Sequence, residues 1–215
     1  MKRIMKVAMI FVLGLALSGI ALAQGEKAAG KDSAVAKGSL WINGAIGYMA
    51  YNVDLHEIDG EDVPSDYNDM DVNVFTLGLE GYYFPIRRLG VGLVGSYLDA
   101  NVDWENMFEA DLSAYRFGFG ALFALDNFAD SKLYPFVNAA GGWVGGSGKI
   151  DPDEGDSEDM HTRGSFWTAG VGVNYAIREN LGIIGRLNYE ANYLGDDLDF
   201  DLTGWILGVG IVGMF

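Results

Sequence analysis

The chain has 215 residues, a length that fits one domain, and carries 30 Asp plus Glu against 14 Lys plus Arg for a net charge of −16. That acid excess argues against a nucleic-acid partner. The absence of cysteine excludes a disulfide framework and any thiolate metal or redox site, and two histidines are too few for a multi-histidine zinc centre.

The first segment reads as an address. Lys2, Arg3 and Lys6 precede an apolar run from Val7 to Leu17, and Ala21-Leu22-Ala23 supplies a small-x-small cleavage site at Ala21 and Ala23. This predicts a secretory signal peptide over 1–23. The apolar run is shorter than the ~20 residues of a spanning helix and is broken by Ser18 and Gly19. No cysteine follows for a lipid anchor. Cleavage removes three cations and no acids, taking the net charge from −16 to −19. Residues 24–38 are small and polar without a period, which predicts a flexible periplasmic leader, and 39–215 form the folded body.

In that body no fifteen-residue window keeps a 3.6-residue period, whereas period-two alternation recurs between Asp- and Gly-rich stretches. Eight strands are predicted: Leu40–Tyr51, Val72–Phe84, Val91–Ala100, Leu112–Leu125, Leu133–Gly145, Ser165–Ile177, Leu181–Tyr193 and Leu202–Phe215. In the fourth, Tyr115, Phe117, Phe119, Ala121, Phe123 and Leu125 alternate with Ala114, Arg116, Gly118, Gly120, Leu122 and Ala124. The sixth sets Trp167, Ala169, Val171, Val173 and Tyr175 against Thr168, Gly170, Gly172 and Asn174. In the seventh, Leu181, Ile183, Leu187 and Tyr189 oppose Arg186, Asn188, Glu190 and Asn192; in the eighth, Trp205, Leu207, Val209, Ile211 and Phe215 oppose Gly204, Gly208 and Gly210. The third strand leaves open which face is outward.

A soluble barrel would turn its large apolar set inward and clothe the other face in charge. Here the other face is small and polar, so the expected fold is inside out: an all-β, eight-stranded, antiparallel up-and-down transmembrane barrel with aromatic and aliphatic residues in lipid. Aromatic residues on the apolar set gather near strand ends, among them Tyr48, Tyr115, Trp143, Trp167 and Trp205, where amphipathic rings favour the bilayer interface. The connections Pro85–Leu89, Asp126–Lys132 and Ile177–Asn180 are short. Those at Asn52–Asp71, Asn101–Asp111, Gly146–Gly164 and Gly195–Asp201 are longer or more acidic. Their alternation predicts periplasmic turns and external loops, with the leader on the turn side.

The signal peptide, the eight strands, LYPFVNAAGG at 133–142 and the terminal GVGIVGMF together resemble the small outer-membrane β-barrel superfamily of OmpA- and OmpX-like proteins. The resemblance implies residence in the outer membrane beside lipopolysaccharide. It also implies recognition by the barrel-assembly machinery through a C-terminal signal that Leu207, Val209, Ile211 and Phe215 match and Gly213 departs from. The chain ends at Phe215, so a peptidoglycan-anchoring domain of the OmpA type is not expected.

The alternation turns Glu80, Arg116, Arg186 and Glu190 inward. Four unpaired charges in so narrow a lumen cost more than two pairs, and heights above the turns match Glu80 with Arg186 and Arg116 with Glu190. Two luminal ion pairs are therefore expected, flanked by Asn138, Asn174, Asn188 and Thr168, in a plug that seals the barrel; the competing reading is a selectivity constriction. Of the 30 acids, 23 fall in four segments, with eight in 54–71, five in 99–111, six in 151–159 and four in 196–201. Lys149 and Arg163 are the basic residues nearby, so a negative external field is expected. Asp151, Asp153, Asp156 and Glu158 are weak candidates for divalent-cation capture, because their spacing departs from an EF-hand loop. An acyl enzyme would need a Ser near His56 or His161, and no Ser lies in a nucleophile motif. The sequence thus predicts a non-enzymatic outer-membrane barrel with a structural or surface-interaction role and no cofactor. The alternative is a narrow pore or an OmpW-like conduit for small solutes.

Overall fold

The computed structural model describes residues 35–58, 61–62, 70–104, 108–125, 132–152, 158–196 and 198–215. They form β1 (Leu40–Ile58), β2 (Met70–Ile86), β3 (Leu89–Trp104), β4 (Phe108–Ala124), β5 (Leu133–Pro152), β6 (Glu158–Arg178), β7 (Leu181–Asp196) and β8 (Leu198–Met214). A two-residue segment, Glu61–Asp62, pairs with the end of β1. Each long strand pairs antiparallel with the next and β8 returns to β1, closing an eight-stranded up-and-down barrel. The predicted fold class is therefore the observed one. At the seam, Leu40 N donates to Phe215 O at 2.7 Å and Phe215 N donates to Leu40 O at 2.9 Å.

The apolar exterior is an unbroken belt. Four strands carry it over windows of eleven residues, Tyr115–Leu125, Leu133–Trp143, Trp167–Ile177 and Trp205–Phe215, each with exposed large apolar residues at both ends. Eleven residues at ~3.3 Å each, tilted by about 45°, rise roughly 25 Å, the height of a lipid-facing band. Tyr115 is 68% exposed and Trp143 63%, and both lie at the end of the belt away from the turns. The ambiguous third strand resolves the same way, with Val91 and Leu93 outward and Val94 and Leu98 buried.

Two sequence expectations change. The stretches read as long connections are largely strand: β3 and β4 stay in register to Trp104↔Phe108, and β5 and β6 to Ile150↔Glu158. Asp, Asn and Gly favour turns locally, but neighbouring strands that supply ladder partners on both sides override that preference. The barrel wall thus continues beyond the apolar belt, and many of the acids sit on its extension. The interior also differs from the expected small, polar lining. Trp41, Tyr82, Phe84, Leu122, Phe136, Ile184, Val212 and Met214 pack as a buried cluster at the turn end. Met49, Val72, Val74, Leu98, Val144, Leu194 and Ile206 form a second cluster toward the opposite end. A barrel this narrow is filled by side chains, and away from the charges the filling is apolar.

Residues assigned to the leader take part in that filling. Val35 is fully buried within the turn-end cluster, its carbonyl accepts from Arg88 N at 3.0 Å, and Gly38 N donates to Phe84 O at 2.8 Å. Arg88 has φ 73°, unusual for a non-glycine residue. The bond to Val35 and a second, from Ala124 N to Arg88 O at 2.8 Å, hold this hairpin residue in place.

Luminal glycines provide room rather than conformational freedom. Gly118 and Gly142 face each other across β4 and β5, and a Cβ on Gly142 would meet the backbone of Phe117 and Gly118. The ring of Phe136 lies over Gly172, and Tyr82 over Gly120. Gly142→Val should therefore overpack the wall and cost about 1–3 kcal/mol. Loss of the heat-modifiable folded band at a lower temperature than for the unmodified protein would register it, while unchanged migration would show that the strands can part.

Candidate functional site

Between the two apolar clusters lies a layer of charge. Arg116 of β4 pairs with Glu190 of β7, and Arg186 of β7 pairs with Glu80 of β2. Arg116 and Glu190 are buried, and Arg186 and Glu80 are partly buried. Alternation brings them to the lumen; across from them on β6, Thr168 stands opposite Glu190 and Gly172 opposite Arg186. Gly208, opposite Arg186 on β8, leaves space for it, since a Cβ there would stand 3.2 Å from Arg186 Cγ and Nε.

Arg116 is the more fully engaged cation. Its Nε donates to Ser96 Oγ at 2.8 Å, Nη1 also lies 3.5 Å from Asn192 Oδ1, and the guanidinium sits 5.2 Å from the Phe166 ring centroid. The planar fork of arginine can satisfy several partners at once, which suits a buried ion pair. The layer encloses a cavity of about 30 Å³ lined by Thr76, Glu80, Ser96, Arg116, Asn138, Thr168, Arg186, Asn188 and Glu190. Asn138 Oδ1, Thr168 Oγ1, Asn188 Oδ1 and Arg186 Nε are buried there without a protein partner. A space of this size admits one or two water molecules, and polar atoms of this kind are what ordered water satisfies.

Of the residues expected to flank the pairs, Asn138, Asn188 and Thr168 do so, whereas Asn174 does not. It is fully buried, and its amide donates to Met214 sulfur at 3.1 Å inside the turn-end cluster. Alternation assigns a residue to a face but says little about its height, so the four polar residues were grouped too broadly. Ser96 went unnoticed because the third strand reads as apolar on both faces. Asn43, buried with both amide atoms lacking a protein partner, went unnoticed in a first strand dominated by apolar residues.

Leu207, Val209, Ile211 and Phe215 all point outward and are exposed on β8. Gly213, the departure from the C-terminal pattern, lies beneath the Phe215 ring, whose Cζ would be 3.1 Å from an added Cβ. An aromatic ring folded over a strand glycine covers the surface a larger side chain would otherwise supply.

Asp151 and Glu158 belong to β5 and β6. Asp153, Asp156, Ala21 and Ala23 fall outside the described residues. Among the described residues no group of three His, Asp or Glu could hold a metal ion. His161 is exposed on β6 with Ser147 as its register partner on β5, and Ser147 is exposed as well. The pair therefore has none of the enclosure that excludes water from a catalytic centre.

No family model matches the chain, and no curated protein sequence matches it. Solved structures do. Neisserial surface protein A is 15% identical, covering 83% of this chain and 100% of its own with a TM-score of 0.54. The outer membrane protein OprG from Pseudomonas aeruginosa is 14% identical, covering 86% and 99% with a TM-score of 0.53. The attachment invasion locus protein Ail of Yersinia pestis is 22% identical over 83% and 99%, with a TM-score of 0.49. The first two carry the same barrel fold across nearly the whole of their length.

Glu190→Gln leaves the Arg116 charge uncompensated and should destabilise the barrel by about 3–5 kcal/mol. The swap Arg116→Glu/Glu190→Arg should recover part of that loss. Denaturant unfolding in detergent micelles measures both, and a Glu190→Gln midpoint equal to that of the unmodified protein would mean the pair contributes nothing to holding the layer.

Proposed function

On the premise that this chain has the fold of the small outer-membrane β-barrels, we propose that it is an integral outer-membrane protein with a structural, surface-presenting role and a sealed, non-catalytic interior. The observation that carries this reading is the closure of the lumen. The charge layer has an apolar cluster on either side, with Trp41, Tyr82, Phe84 and Phe136 toward the turns and Met49, Leu98, Val144 and Ile206 toward the far end. Among the described residues the cavity between them is about 30 Å³, a volume that suits water.

Residence in the outer membrane is supported by the belt of exposed apolar residues and by the reading of 1–23 as a signal peptide, with Val35–Ser39 entering the barrel at its turn end. In that orientation the turns face the periplasm and the extended strand ends project outward. Among the described residues those ends carry 15 of the chain's 30 acids, so the external rim has a strong negative field. Divalent cations are its natural partners, free or bridging to the phosphates of lipopolysaccharide. The exposed β8 residues ending in Phe215 are available to the assembly machinery during insertion. A through-pore for ions would need a continuous polar path, and both apolar clusters interrupt it.

Conductance of the refolded barrel in a planar bilayer tests this reading. Silence is expected, with or without millimolar Ca²⁺, and Glu190→Gln should leave a folded barrel equally silent, because the apolar layers remain. Steady ion-selective openings that weaken on neutralising Arg116 or Glu190 would overturn the sealed interior and establish the pore.

A further inference from the structure

Residues 40–215 contain eight cations, all of them within the described residues. Arg116 and Arg186 are committed to the luminal pairs. Lys149 and Arg163 are exposed on β5 and β6 near the acidic rim, and Lys149 stands in register between Asp111 and Asp159. The other four all lie at the turn end: Arg87 and Arg88 in the β2–β3 hairpin, Lys132 in the β4–β5 connection and Arg178 at the β6–β7 turn. Lys37, exposed just before β1, adds a fifth.

Their placement relative to the belt repeats from hairpin to hairpin. Exposed Ile86 is followed at once by exposed Arg87, exposed Leu133 is preceded by exposed Lys132, and exposed Ile177 is followed by exposed Arg178. In each case the last lipid-facing residue is directly next to a cation, so the charge stands where the hydrocarbon ends and the headgroup layer begins. Long cationic side chains hold their apolar stems against the belt and place the charge among headgroups. Among the described residues the acid at this end is Glu179, against five cations, while the strand ends at the other rim carry 15 acids.

We infer that the turn end is a binding rim for anionic phospholipid headgroups, with Arg87, Lys132 and Arg178 each holding a phosphate at a different hairpin around the barrel. The chemistry needed is a mobile, singly or doubly charged phosphate at the hydrocarbon boundary. The acidic far rim repels the same lipids, so the molecule sorts anionic lipid to one of its two faces. This inference rests on the membrane placement proposed above, but not on the state of the lumen or on the role of the acidic rim.

The test inserts the full mature chain into vesicles of phosphatidylcholine alone and of phosphatidylcholine with one-third phosphatidylglycerol, and counts by native mass spectrometry the lipids retained on the released barrel. Phosphatidylglycerol should be retained several-fold beyond its mole fraction, about five-fold for each headgroup held next to a cation. The preference should collapse in high salt, as an interaction at an exposed surface must. The triple variant Arg87→Gln/Lys132→Gln/Arg178→Gln should lose it, and Lys149→Gln/Arg163→Gln should keep it. Retention in proportion to the mixture, or a preference that survives the triple variant or high salt, overturns the inference while leaving membrane residence intact. A chain that inserts into neither vesicle overturns the membrane placement itself. Should the triple variant fail to insert, the salt series on the unmodified protein decides.

Discussion

A peptide N–H or C=O left unpaired in hydrocarbon costs several kcal/mol, and a sheet that crosses a bilayer therefore cannot keep an edge. The seam between β1 and β8, held from Trp41↔Met214 to Ile58↔Leu198 with one register shift between Leu55 and Glu57, removes the last one. Closure at eight strands then sets the bore, and the bore sets what can lie inside it. The interior is filled by side chains, and the exterior presents the large apolar residues that a soluble protein would bury.

That inversion changes the standing of the buried charges. Two arginines and two glutamates in a narrow lumen are tolerable only as pairs with further hydrogen bonds, because desolvation of each ion costs several kcal/mol. Arg116 answers this with Glu190, Ser96, Asn192 and the face of Phe166. Arg186 answers it with Glu80 and with room made by Gly208. An ion pair is weak evidence of stability by itself. Its value here is positional: it fixes the middle of a core whose two ends are filled by interchangeable apolar side chains.

The outside is divided as clearly as the inside. A belt about eleven residues tall separates a turn end where cations adjoin the last apolar residue from a far end whose described strands carry 15 of the 30 acids. Such a molecule is polarised along the barrel axis. It presents different chemistry at its two ends, whereas its apolar middle is uniform. The surfaces with something to recognise are thus the two rims.

Much of this was legible from the residues. Period two in Tyr115–Leu125 and Trp167–Ile177 assigns each side chain to lumen or lipid, because successive Cβ atoms on a strand point to opposite faces. The same alternation, with heights counted from the turns, brings Glu80 toward Arg186 and Arg116 toward Glu190. What sequence could not supply was extent and filling. The acidic stretches after Tyr51, Ala100 and Gly145 look like loops, and they become wall because partners distant in the chain satisfy their backbone. Nor does alternation alone reveal that Trp41, Phe84 and Phe136 meet in one cluster with Val35, or that Asn174 belongs there rather than with the charges. The side on which a residue lies follows from its immediate neighbours in the chain. Its height in the barrel, and what it touches across the lumen, follow from strand register, a non-local property that arises only when the sheet closes.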